Sequence, residues 1–167
     1  MDQSKDEKKR DTEVTASADL GQSALPCASK ALAKGFRQEF QAFSLSEREI
    51  IDYALLTDPL PIHTDPGAAA SGHFGGIIAS GPQIFSHVHR TEFIPRYGAD
   101  IIAGIEIRDW KFHGPVRPGQ AIFASLEVLN ISEDTGKGRA EVHWRYEFKD
   151  AKGNLLQELE PIILHRL

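Results

Sequence analysis

The sequence predicts an α+β domain in which an antiparallel sheet wraps one long helix. Three observations carry that expectation. The stretch from Ser80 to about Phe93 has a helix start and helical spacing. Beyond Ile101 the apolar period changes to two. That second half is punctuated by turn residues at Pro115, at Pro118-Gly119, over 134–138 and over 150–154. One sheet with a single long helix to wrap makes a layered α+β arrangement.

Taken in order, residues 36–43 read as a first strand with imperfect alternation, Phe36, Phe40, Ala42 and Phe43 lying among polar neighbours. Ser46 and Glu49 have capping-box spacing, and Leu45 and Ile50 occupy the two staple positions. A short helix is therefore expected over 47–56, with Ile50, Ala54 and Leu55 toward the core. Pro59 and Pro61 lack a backbone N–H, and each disfavours helix in the residue before it. The helix should stop at about Asp58, leaving Asp58 to His63 as a rigid extended loop. Asp65 and Pro66 can cap and open a further helical turn over 66–71, and Gly72, Gly75 and Gly76 permit a tight turn after it. Ser80-Gly81-Pro82 then starts the long helix. Ile84, Phe85 and Val88 face the core, His87, Arg90 and Glu92 face outward, and the helix ends before Pro95.

In the second half, Ile101, Ala103, Ile105 and Ile107 alternate before Trp110 and Phe112 take over the apolar role, a change of face that predicts a bulge. Residues 121–132 form another strand and 134–138 close a hairpin. Ala140, Val142, Trp144, Tyr146 and Phe148 give the clearest alternation in the chain. A last strand covers 155–165, where Pro161 predicts an edge position or a bulge.

At 167 residues the chain suits one domain with a real core. A tail over 1–35 is expected to be largely disordered, 1–22 being too polar to bury anything, while Pro26 to Lys34 can form a short helix. The domain itself covers 36–167. Residues 1–13 carry five acidic and four basic side chains, which resembles no targeting signal, and no apolar run has a membrane span's length. The expectation is a cytoplasmic protein, without a membrane partner. A net charge of −5 argues against a general nucleic-acid binder. Cys27 is the only cysteine, which excludes an intrachain disulfide and a zinc–thiolate cluster.

The chemistry concentrates over 57–83. Asp58 and His63 lie five positions apart on a spacer that two prolines stiffen, and a fixed loop can hold two polar groups at one point in space. Such a pair suits general acid/base work, because histidine titrates near neutrality and a carboxylate fixes its tautomer. Gly81 opens a helix, where the first N–H groups lack intrahelical acceptors and the dipole favours negative charge. His63, Asp65, His87 and His89 do not make a convincing metal site, since alternate residues of a helix face apart. No metal or other cofactor is expected.

These residues resemble the MaoC-like acyl dehydratases, which include the R-specific enoyl-CoA hydratases. The family commonly carries Thr-Gly-Asp-x-Asn-Pro-(Ile or Leu)-His-x-Asp, followed by Phe-Gly-x-x-(Ile or Val)-Ala-His-Gly. Asp58, Pro61, Ile62, His63, Asp65, Phe74, Gly75, Ile78, Ala79 and Gly81 match it, and Phe112 to Gly119 resembles the family's Phe-x-x-Pro-Val-x-x-Gly turn. The resemblance covers about 36–165. It implies the hot-dog fold, a homodimer, and reversible hydration of a 2-enoyl thioester, with acyl-CoA as the substrate class. Asp58 and His63 would handle water and proton, Gly81 would hold the thioester oxygen, and Ser80 and Gly76 would bind substrate. Leu60 stands where the family usually has Asn, Ser80 where it often has His, and Gln120 where it has Asp. Leu60 would thereby remove a polar group from beside the site. Two other functions fit the same fold: a thioesterase, or an acyl-thioester-binding subunit without catalysis.

Overall fold

The structure, a computed structural model, describes residues 31–167. The tail 1–22 and most of the short helix expected over 26–34 lie outside these residues.

The first strand, β1, is only Arg37–Glu39, shorter than expected, and Phe43 adds an isolated bridge to Ile122. Helix α1 spans Glu47–Thr57 and opens on the capping box read from its spacing. The Ser46 N–H donates to the Glu49 carboxylate at 2.7 Å, and the Glu49 N–H donates to the Ser46 hydroxyl at 3.2 Å. Leu45, Ile50 and Ala54 are buried, but Leu55 is exposed, contrary to expectation. Ile50 and Ala54 already define the core stripe, and Leu55 points about 100° away from Ala54.

The segment expected as an extended loop is instead partly helical. Pro61 sits at the first position of α2, Pro61–Thr64, where its missing N–H matters least. Asp65 then caps α3, Pro66–Ser71, by accepting from the N–H groups of Gly67 and Ala68.

The long helix outruns its expected end. Helix α4, Gly81–Val88, continues through a π-helical turn at His89–Phe93 into α5, Ile94–Tyr97, and a 3₁₀ turn at Gly98–Asp100. Proline normally breaks a helix by clashing with the carbonyl four residues back. Here the Ile94 N–H donates to His89 five residues back, and the widened turn lets Pro95 enter as the second residue of α5.

Four further strands complete the sheet: β2, Ile101–Phe112; β3, Phe123–Asp134; β4, Arg139–Lys149; and β5, Leu155–Arg166. All pairings are antiparallel, in the order β1-β3-β4-β5-β2, and the sheet wraps the long helix as a hot-dog fold does. Alternate residues of β4 from Ala140 to Phe148 are buried, as the sequence indicates. Phe93 from the helix meets Trp144 edge to face at 5.3 Å, and Phe85 meets Tyr146 likewise at 5.3 Å. Each such pair adds about 0.5–1.5 kcal/mol beyond its buried area. Buried beside Trp144, His165 accepts a hydrogen bond from the indole N–H at 3.3 Å.

Two strand expectations are corrected. Pro161 lies on β5, between β4 and β2, rather than at an edge. It pairs with Ile107 on one side and falls, on the other, between the pairings His143–Ile162 and Tyr146–Leu159. The missing N–H thus sits where the ladder is already interrupted. The edge belongs to β2, whose register shifts between Gly104 and Glu106 and between Arg108 and Lys111, with Asp109 at φ 47°. The expected bulges are present, but Ile102, Ile105 and Ile107 stay exposed rather than turning inward.

Candidate active site

A cavity of about 470 Å³ opens where the end of α1, the turn of α2, the start of α4 and the end of β2 converge. Its walls are largely apolar, with Ile78, Ile84, Phe112, Val116 and Leu156 among them, and its volume falls in the range of small-ligand sites. Four of the five site residues expected from sequence line it: Asp58, His63, Ser80 and Gly81. Gly76 does not. It belongs to the preceding turn, where its φ of 153° suits a residue without a side chain.

Asp58 is the residue at which α1 ends, its N–H still donating to Ala54, and its side chain is partly exposed toward the cavity. His63 is brought to it by the single turn of α2 and is 5% exposed. Its Nδ1 lies 2.8 Å from the Ile78 carbonyl, an acceptor only, so the hydrogen in the neutral ring sits on Nδ1. Nε2 then carries a lone pair and faces Asp58 Oδ2 at 3.4 Å. Two acceptors meet there unless the ring is protonated, so imidazole and carboxylate form a site able to take up one proton between them. The segment 77–79 holds this arrangement in place, with Ile78 N–H donating to Ile62 and Ala79 N–H donating to Val116.

The start of α4 leaves one backbone donor for a ligand. Pro82 has no N–H, and the Gln83 N–H donates to the Ser80 carbonyl at 3.0 Å. The N–H of Gly81, first in the helix, has no intrahelical acceptor. Gly81 has a packing reason as well, because a Cβ there would run into the Phe112 ring. The Ser80 hydroxyl, which would ordinarily cap the helix, donates instead to Asp58 Oδ2 at 2.8 Å.

Leu60 does not line the cavity and its side chain is 51% exposed, so replacing the family's Asn there takes nothing from the cavity wall. Gln120 stabilises its own turn by accepting from the Arg117 N–H at 2.9 Å, and the Arg117 guanidinium donates to the Phe74 carbonyl.

Sequence reasoning missed Gln157. It is buried on β5, lines the cavity, and bridges two elements: in the amide orientation that satisfies both neighbours, its nitrogen donates to the Gly81 carbonyl at 2.8 Å and its oxygen accepts from the Trp110 indole at 2.8 Å. The available signal was a glutamine directly after Leu155 and Leu156, on the strand that also carries Glu158 and Glu160.

The family model described as MaoC like domain matches residues 29–150. A solved monoamine oxidase regulatory protein from Archaeoglobus fulgidus is 27% identical with a TM-score of 0.73, covering 82% of this chain and 92% of its own. The R-hydratase PhaJ1 from Pseudomonas aeruginosa is 25% identical with a TM-score of 0.62, covering 85% of this chain and 86% of its own. The Bacillus subtilis protein YdeM is 36% identical over 91 residues, 54% of this chain and 64% of that protein, so the match spans less than two thirds of YdeM. With well over half of its length matched by the family model, and with an antiparallel sheet wrapped on one long helix, the chain belongs to the MaoC-like domain family, a family of dehydratases.

Proposed function

We propose that the protein is a hydro-lyase that reversibly adds water to a 2-enoyl thioester, with acyl-CoA as the substrate class. The observation that carries this reading is the Asp58–His63 pair facing across 3.4 Å on the wall of an apolar cavity that also holds the Gly81 helix start. In the hydration direction, neutral His63 takes a proton from water at Nε2 as the water oxygen bonds to the β-carbon. Negative charge grows on the thioester oxygen, where the Gly81 N–H and the helix dipole stabilise it. The imidazolium, paired with the Asp58 carboxylate, then returns the proton to the α-carbon. Water is thereby divided as hydroxyl on the β-carbon and hydrogen on the α-carbon. The similarity to the R-hydratase PhaJ1 supports the same direction.

The test is to incubate the protein with 2-enoyl-CoAs of several lengths, following the conjugated thioester absorbance and free thiol together. Absorbance should fall without thiol release. Thiol release from saturated acyl-CoA would replace this reading with a thioesterase, and binding without either reaction would leave an acyl-thioester-binding subunit.

The same reading carries a second copy of the chain as partner. Among the described residues the outer edge of β2 is unpaired and the strand exposes Ile102, Ile105 and Ile107, and an apolar edge of this kind calls for cover. Light scattering at micromolar concentration is expected to give about twice the chain mass of 18.5 kDa. A monomeric mass would leave that edge to some other partner.

A further inference from the structure

We propose that Ser80 is a positioning residue for Asp58, holding the carboxylate in the acid/base pair through the half of the cycle in which His63 cannot. The inference rests on the hydration reading for its kinetic consequence, but its structural basis is separate.

Asp58 sits at the C-terminal end of α1, where the helix dipole disfavours a negative side chain. A carboxylate there needs donors to stay turned inward, and the structure provides two groups at Oδ2: the Ser80 hydroxyl at 2.8 Å and His63 Nε2 at 3.4 Å. They are not equivalent. Because the Ile78 carbonyl holds the hydrogen on Nδ1, Nε2 donates to Asp58 only while the ring is protonated. When His63 is neutral, the state that accepts a proton from water, the Ser80 hydroxyl is the donor that remains. It is free for this work because the two backbone groups it would ordinarily cap are unavailable. Pro82 has no N–H, and the Gln83 N–H is taken by the Ser80 carbonyl. Ser80 is itself buried, so its rotamer is fixed by packing and solvent does not compete for the bond. Ser80 also lines the cavity, so the contact with Asp58 is added to the substrate contact expected from sequence.

Ser80→Ala is expected to lower kcat about 10- to 100-fold, the usual range for a hydrogen bond to a charged group, with KM changed less than about threefold. Ser80→Thr, which keeps the hydroxyl, should restore most of the rate. A readout independent of turnover is the nitrogen NMR spectrum of the His63 ring in histidine-labelled protein. Freeing Asp58 changes what faces Nε2, so the Nε2 signal in Ser80→Ala should move toward its position in Asp58→Asn, while wild type and Ser80→Thr agree. Thermal melting of each variant identifies any that do not fold. An unmoved His63 Nε2 signal in folded Ser80→Ala overturns the proposal, as does a rate loss expressed in KM alone, which would mark Ser80 as a substrate contact. If wild type hydrates no enoyl thioester, the functional reading fails, and the NMR comparison still decides the role of Ser80.

Discussion

Asp58→Asn and His63→Gln are each expected to reduce hydration of a 2-enoyl-CoA by about a hundred- to ten-thousand-fold, the usual contribution of general acid/base catalysis. The two groups face each other across 3.4 Å and are expected to act as a unit, so the double variant should be little worse than either single one. Glutamine is the informative replacement at 63, because its amide can still donate to the Ile78 carbonyl that His63 Nδ1 satisfies at 2.8 Å. Alanine would leave a buried acceptor unpaired and confuse a stability loss with a catalytic one. Acyl-CoA affinity, measured by calorimetry, should survive in all three variants. Wild-type rates in both single variants would remove the pair from the mechanism.

The second large effect concerns stability. His165 is fully buried, and burial lowers its pKa from 6.5 to about 4, against an opposing pull from Asp100. The hydrogen bond from the Trp144 indole agrees, since an indole N–H only donates and so requires an unprotonated Nε2. Between those two pH values the unfolded chain binds a proton at this position that the folded chain does not. Stability therefore rises with pH across the window and is lost as pH falls from 6.5 toward 4. The full span corresponds to about 3 kcal/mol. Urea unfolding at several pH values should show this slope in wild type and a shallower one in His165→Gln, which does not titrate. Parallel slopes would place the acid sensitivity elsewhere.

Short-range signals were the legible part of this sequence. The capping box at Ser46 and Glu49 was readable because its two hydrogen bonds depend only on a three-residue spacing. The inward face of β4 was readable because a strand between two neighbours, with one face on a helix, must alternate. Asp58, His63 and Gly81 share the cavity wall because the motif that carries them is nearly continuous in sequence. What remained hidden depends on tertiary pairing. The interior placement of Pro161 follows from β2 adding itself beside β5, which no local pattern reveals. Gln157 reaches the site from the far end of the chain, and its two partners, Gly81 and Trp110, lie 76 and 47 positions before it. Leu55 was misplaced because an apolar residue at a helix end looks the same on either face.

The π-helical turn at His89–Phe93 also decides which residues the second half of the long helix offers to the sheet. Before it, the buried apolar positions are Ile84 and Val88, four apart; after it they are Phe93 and Tyr97, also four apart, but Val88 and Phe93 are separated by five. Counting in fours from Val88 without the added residue would have aimed Glu92 and Arg96 at Trp144. Instead those two lie on the outside, joined by an ion pair at 2.6 Å. One extra residue thus rephases the helix, exchanging a charged stripe for an aromatic one, and deleting a single residue from 89–93 should disrupt the fold more than replacing any of the exposed ones.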